Sequence, residues 1–101
     1  MYKVGQKVRV KSWDQMAQEY GVTAGAINTP STFIPEMQCY CGKIYRIKAI
    51  YDPVNSIYDL ETITGDENEN EELLYYCWDE VMLIPIVGEL ETMIKERRKN
   101  V

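Results

Sequence analysis

Three stretches of the chain alternate apolar with charged residues at a period of two: "QKVRVKS" (Gln6 to Ser12), "KIYRIKAIY" (Lys43 to Tyr51) and "SIYDLETIT" (Ser56 to Thr64). Successive side chains of a strand point to opposite faces, so this period predicts half-buried strands in a sheet with one wet face. In the first, Val8 and Val10 alternate with Lys7, Arg9 and Lys11. In the second, Tyr45, Ile47, Ala49 and Tyr51 share a face and Arg46 and Lys48 take the other. In the third, Tyr58 and Leu60 oppose Asp59 and Glu61. "DPVN", Asp52 to Asn55, supplies a tight turn between the last two, because proline presets one φ and Asp and Asn bond back to their own backbone. The polar run "GDENENEE" reads as a second hairpin loop, and "LLYYCW" as the strand beyond it. A helical turn at "DEVM" and a short last strand at "LIPI" come next, with Pro85 suited to a sheet edge.

Helical signals are fewer. In "SWDQMAQEY" Ser12 is placed as an N-cap with Gln15 three residues on, and Trp13, Met16, Ala17 and Tyr20 recur at helical intervals before Gly21. Residues 21–35 form a long connection rich in Gly, Thr, Ser and Pro, anchored by Phe33 and Ile34, and "PEMQ" resembles one helical turn with Pro35 at its first position. "GELETMIKERRKN" predicts a terminal amphipathic helix with Leu90, Met93 and Ile94 on one face. Its acidic residues come first and its basic ones last, which complements the helix dipole. Five short strands, a long loop after the first and a tight meander outline a mainly β fold. The expected architecture is a small SH3-like five-stranded barrel over residues 1–86, with short helical turns, and a C-terminal helix over 87–101.

The segments "VRVKSWDQM", "FIPEMQCYCGKIYRI", "YDL" and "CWDEVML" together resemble a group of small bacterial and phage-borne proteins with an SH3-like barrel. The resemblance spans about residues 5–84 and rests on Trp13, Met16, Met37, Cys41, Gly42, Lys43, Trp78 and Met82. It implies the barrel, and it suggests a phage- or prophage-encoded inhibitor or adaptor acting on a host protein. The second half, with "YDLET" and "YYCW", also looks like the barrel repeats of some protein-interaction modules.

At 101 residues the chain suits a single domain with one modest core. It has 16 acidic residues against 11 basic, a net charge of −5 and no histidine. Acidity disfavours a protein that gains its affinity by neutralising many phosphates. The missing histidine removes both the commonest general base and the commonest metal ligand. A structural zinc site wants four thiolate or imidazole ligands, and here a C-x-C pair, Cys39 and Cys41, has only Cys77 to join it. The pair is expected to lead into a strand as buried core thiols, with no metal or other cofactor. An odd number of cysteines also argues against a disulfide framework. No phosphate-binding glycine loop or H-E-x-x-H motif occurs, and Cys41 as a nucleophile has only Lys43 beside it. The expectation is a non-catalytic protein. With no apolar leader at "MYKVGQKVRV" and no membrane-length apolar run, it is placed in the cytoplasm.

Binding is the remaining class. Eight tyrosines and two tryptophans are many for this length, and such rings favour interfaces. Trp13, Tyr20, Phe33, Tyr40, Tyr51 and Trp78 are the candidates for an aromatic peptide groove. Glu67, Glu69 and Glu71 of the acidic run, and Leu90 and Ile94 of the terminal helix, are further candidate protein contacts. The helix is also a candidate homodimer contact. The alternative is a nucleic-acid-binding barrel with a basic strand face of Arg9, Lys11, Arg46 and Lys48, reading phosphates while tyrosines stack on bases.

Overall fold

The structure is a computed structural model and describes residues 1–86. The terminal helix expected over 88–100, with Leu90 and Ile94, and the dimer contact assigned to it lie outside the described residues. The elements run β1 (Lys7–Val10), α1 (Trp13–Tyr20), β2 (Val22–Thr23), β3 (Ala26–Ile27), β4 (Ile44–Asp52), β5 (Ile57–Thr62), α2 (Glu67–Leu73), β6 (Trp78–Asp79) and β7 (Leu83–Pro85). Short 3-10 helices cover Pro35–Tyr40 and Glu80–Met82. The fold is mainly β. One antiparallel sheet has the order β6-β5-β4-β1-β7, and β2 and β3 form a separate two-stranded ribbon. Pro85, with no N–H to donate, sits on edge strand β7 as its chemistry requires.

β1 obeys the period of two: Val8 and Val10 are fully buried and Lys7 and Arg9 exposed. The 3.1 Å bond from Gln15 N–H to Ser12 Oγ caps α1, and Met16 is its buried residue. Asp52 holds the β4–β5 turn, accepting from the Val54 and Asn55 backbone N–H groups and from the Asn55 side chain. These bonds, led by that of the Asn55 side chain, keep the Asp52 carboxyl below its ordinary range.

β4 departs from simple alternation. Its pairing with β5 slips twice: Ile47 faces Leu60 but Ala49 faces Asp59, and Ile50 faces Tyr58 but Asp52 faces Ile57. Lys48 and Tyr51 are the inserted residues of two β-bulges, and each insertion reverses the parity of the residues after it. Tyr45 and Ile47 are buried as expected, but Ile50 then packs on the core while Tyr51 is 68% exposed. The four-residue inward face expected from Tyr45 to Tyr51 is therefore corrected to Tyr45, Ile47 and Ile50.

Three further expectations are corrected. Residues 21–35 are no open loop. Ala24 and Gly25, both at positive φ, form a two-residue turn joining β2 to β3, and Ile27 bridges to Phe33. The acidic run is a helix, not a hairpin tip. Asp66 accepts from the Glu69 N–H and caps α2, while the acidic first turn complements the dipole. "LLYYCW" is no strand over most of its length: Leu73 ends α2, residues 74–77 form a turn, and only Trp78 and Asp79 pair with β5.

The core is crossed by a chain of rings. Trp13 tilts on Phe33, Phe33 meets Trp78 edge-on, and Tyr40 is T-shaped against both Trp78 and Tyr45. Trp78 is fully buried, and its indole N–H donates to the Leu73 carbonyl at 3.0 Å, tying the end of α2 to the core.

Candidate functional site

The cysteines are candidates for covalent chemistry. Cys39 lies in the 3-10 helix Pro35–Tyr40, whose period of three turns Met37 and Tyr40 inward and Cys39 out to solvent. The expectation of two core thiols on one strand face is corrected: Cys39 and Cys77 are exposed and Cys41 is half-buried. Burial pushes the Cys41 thiol up, and the hydrogen bond to the Trp13 backbone offsets only part of that. No group of three or more Cys, Asp or Glu side chains converges as metal ligands among the described residues.

The six aromatic candidates divide sharply. Phe33, Tyr40 and Trp78 belong to the buried ring chain and present no groove, while Trp13 and Tyr20 are half-buried against it. Tyr51 alone is an open contact surface, placed there by the second bulge. A ring outside the six candidates joins it: Tyr75, 78% exposed, in the turn after α2. A cleft of about 140 Å³ lies between them, lined also by Ile57, Leu74, Tyr76 and Cys77, with Asp59 at its wall. Leu74 is 45% exposed, so apolar surface stands open to water beside the two rings. The only sequence signal for this cleft was the density of tyrosines around the "YY" pair.

The acidic candidates sit on α2. Glu67 and Glu71 are exposed on the helix. Glu69 instead turns toward the sheet, accepting from the Tyr45 hydroxyl at 2.8 Å with the Lys43 ammonium 3.6 Å away. Glu72 accepts from the Tyr40 hydroxyl, and the Asn70 side chain accepts from the Thr62 backbone N–H. Burial first, then these carboxylates, hold Tyr40 and Tyr45 well above the usual phenol range. Part of the acidic run is thus a clamp between helix and sheet.

The basic candidates are brought together with one exchange. β1 and β4 are neighbours, and Arg9, Arg46 and Lys48 are exposed on the sheet's outer face. Lys11 is not with them; its ammonium bonds Glu19 on α1 at 3.0 Å, which lowers the Glu19 carboxyl. Lys7, directly opposite Arg46 in register, takes its place. None of Lys7, Arg9, Arg46 and Lys48 has a carboxylate within ion-pair distance among the described residues.

One further polar contact shapes the molecule. Asp79, 2% exposed, accepts from both the backbone N–H and the hydroxyl of Ser31, each at 2.6 Å, clasping the β2–β3 segment to the edge of the sheet. No helix among the described residues is long and apolar enough to cross a membrane. Comparisons with protein-family models, with curated proteins and with solved structures give no match for this chain.

Proposed function

We propose that this chain is a non-catalytic protein-binding module, built on the plan of an SH3-like barrel, that holds an extended segment of its partner in the Tyr51–Tyr75 cleft. The observation that carries the reading is the exposure of two tyrosines and a leucine around one concavity, in a molecule that buries its other large rings wholly or in part. Rigid amphipathic rings at the surface gain contact area at low entropic cost, which is why they recur in recognition sites. The barrel plan is supported by connectivity: the five main strands, numbered along the chain, lie in the order 4-3-2-1-5. A long second strand bent by two bulges and a 3-10 turn before the last strand fit the same plan. The non-catalytic part of the reading is supported by the raised Cys41 thiol.

The test is capture from a nuclease-treated lysate by the wild-type protein and by a Tyr51→Ser/Tyr75→Ser variant. A stoichiometric protein retained by the first and lost by the second is the expected result. Equal retention by both would place the interface elsewhere.

A second reading, a nucleic-acid-binding face, is favoured by the adjacency of β1 and β4, which gathers Lys7, Arg9, Arg46 and Lys48. It predicts salt-sensitive binding of a twelve-residue oligothymidylate, abolished by Arg46→Glu; indifference to that change would remove it.

A further inference from the structure

The cleft and the cationic face share one strand as a track, since β4 carries Tyr51 as well as Arg46 and Lys48. On β4 the outer face carries Arg46, then the inserted Lys48, then the inserted Tyr51, and Lys7 stands beside Arg46 on the adjoining strand. Alternate positions along a strand are about 6.7 Å apart, so Arg46 and Tyr51 lie roughly 17 Å apart along the strand, less the contraction at the bulges. An extended peptide has the same repeat. We infer that the segment held by this module is acidic: an apolar or aromatic residue seats between Tyr51 and Tyr75, and carboxylates at alternate positions beyond it meet Lys48 and then Arg46 with Lys7 beside it. This rests on the reading of the cleft as a peptide groove and adds the charge and register of the occupant.

The acidity of the occupant follows from charge complementarity. Five cations stand without ion-pair partners among the described residues of a chain whose net charge is −5, and four of them, Lys7, Arg9, Arg46 and Lys48, lie on two adjoining strands. The neighbouring strand β5 places Glu61 directly opposite Arg46 and Asp59 opposite Ala49. These two carboxylates, Asp59 also lining the cleft, oppose anything that carries negative charge across a broader front. A peptide with spaced carboxylates and an apolar anchor suits these limits better than a polyphosphate strand, which brings a charge at every unit and offers bases rather than aliphatic groups to Ile57 and Leu74.

The experiment is selection of a random displayed nonapeptide library on the wild-type protein, on Arg46→Gln/Lys48→Gln and on Tyr51→Ser, at low and moderate salt. The expected result is an apolar anchor followed by Asp or Glu at alternate positions. Representative peptides should bind about tenfold more weakly to Arg46→Gln/Lys48→Gln and lose affinity as salt rises. Enrichment of apolar peptides without acidic residues would overturn the inference and leave the groove standing. If nothing is enriched on the wild type over Tyr51→Ser, both fall. If a twelve-residue oligothymidylate binds and displaces the selected peptides, the track belongs to nucleic acid and the inference fails. Both variants change exposed side chains only, so their folding is checked directly by their unfolding midpoints.

Discussion

Replacing Asp79 by alanine should cost the protein a large part of its stability, although the residue belongs to no catalytic or binding group. Its carboxylate accepts two bonds of 2.6 Å from Ser31 while 2% exposed. A hydrogen bond to a charged group is worth about 1.5–3 kcal/mol net, and the half-buried Ser31 retains some access to water, so the lower end applies. The expected loss for Asp79→Ala is therefore about 3 kcal/mol, set against a total stability of roughly 5–15 kcal/mol for a domain. At about 4–8 °C per kcal/mol for this size, the melting midpoint falls by roughly 12–24 °C. Ser31→Ala removes only the hydroxyl bond and should cost about 1.5 kcal/mol. Once Asp79 is gone the Ser31 hydroxyl has nothing to hold, so the two changes should be non-additive by about that amount. Urea unfolding of the four proteins, followed by tryptophan fluorescence, measures all three quantities. Hydrogen exchange should show lost protection at Ile27 and Phe33, whose bridge lies in the clasped segment. Asp79→Ala within about 0.5 kcal/mol of wild type, or strict additivity with Ser31→Ala, would refute the clasp.

Ala24 takes φ +53° in the β2–β3 turn, a region that suits asparagine better, so Ala24→Asn should stabilise the protein by about 0.5–1 kcal/mol in the same assay. The buried Thr29 hydroxyl has no hydrogen-bond partner among the described residues; Thr29→Val should therefore gain about 1 kcal/mol, and a loss would reveal a partner in ordered water. Tyr40 and Tyr45 ionise less readily folded than unfolded, so their contribution is complete below the ordinary phenol pKa of about 10 and lost as pH rises through their folded values. Stability should fall above that pH, and absorbance at 295 nm should show a tyrosine fraction that ionises only with unfolding. Free titration of every tyrosine in the native state would contradict the clamp between α2 and the sheet.

Much of the fold was legible because its signals are local. The Ser12 cap, the Asp52 turn, the strand parity of β1 and β5 and the one-turn helix before β7 come from residues a few positions apart. The misses share a different cause. The bulges at Lys48 and Tyr51 depend on register against β5, and nothing in "IKAIY" announces where pairing slips. α2 was hidden because Leu73 is its only buried apolar residue, so no periodicity could show; Asp66 with Glu69 three residues on was nonetheless a capping signal that could have found it. Composition pointed to aromatic recognition but not to which rings were free, since Phe33, Tyr40 and Trp78 were claimed by the core and Tyr51 was freed by a slip in pairing.

The place of β1 has a consequence for how the chain reaches this state. It lies between β4 and β7, with Val8 paired to Tyr45 on one side and Pro85 on the other. During synthesis the β4–β5 hairpin can form on contacts a few residues apart, but the second ladder of β1 waits until the last described strand has left the ribosome. Such pairing of strands distant in sequence is the kind of contact that slows the folding of small domains. A chain stopped before Leu83 would leave β1 as an open edge able to pair with other chains, so early termination costs solubility as well as structure.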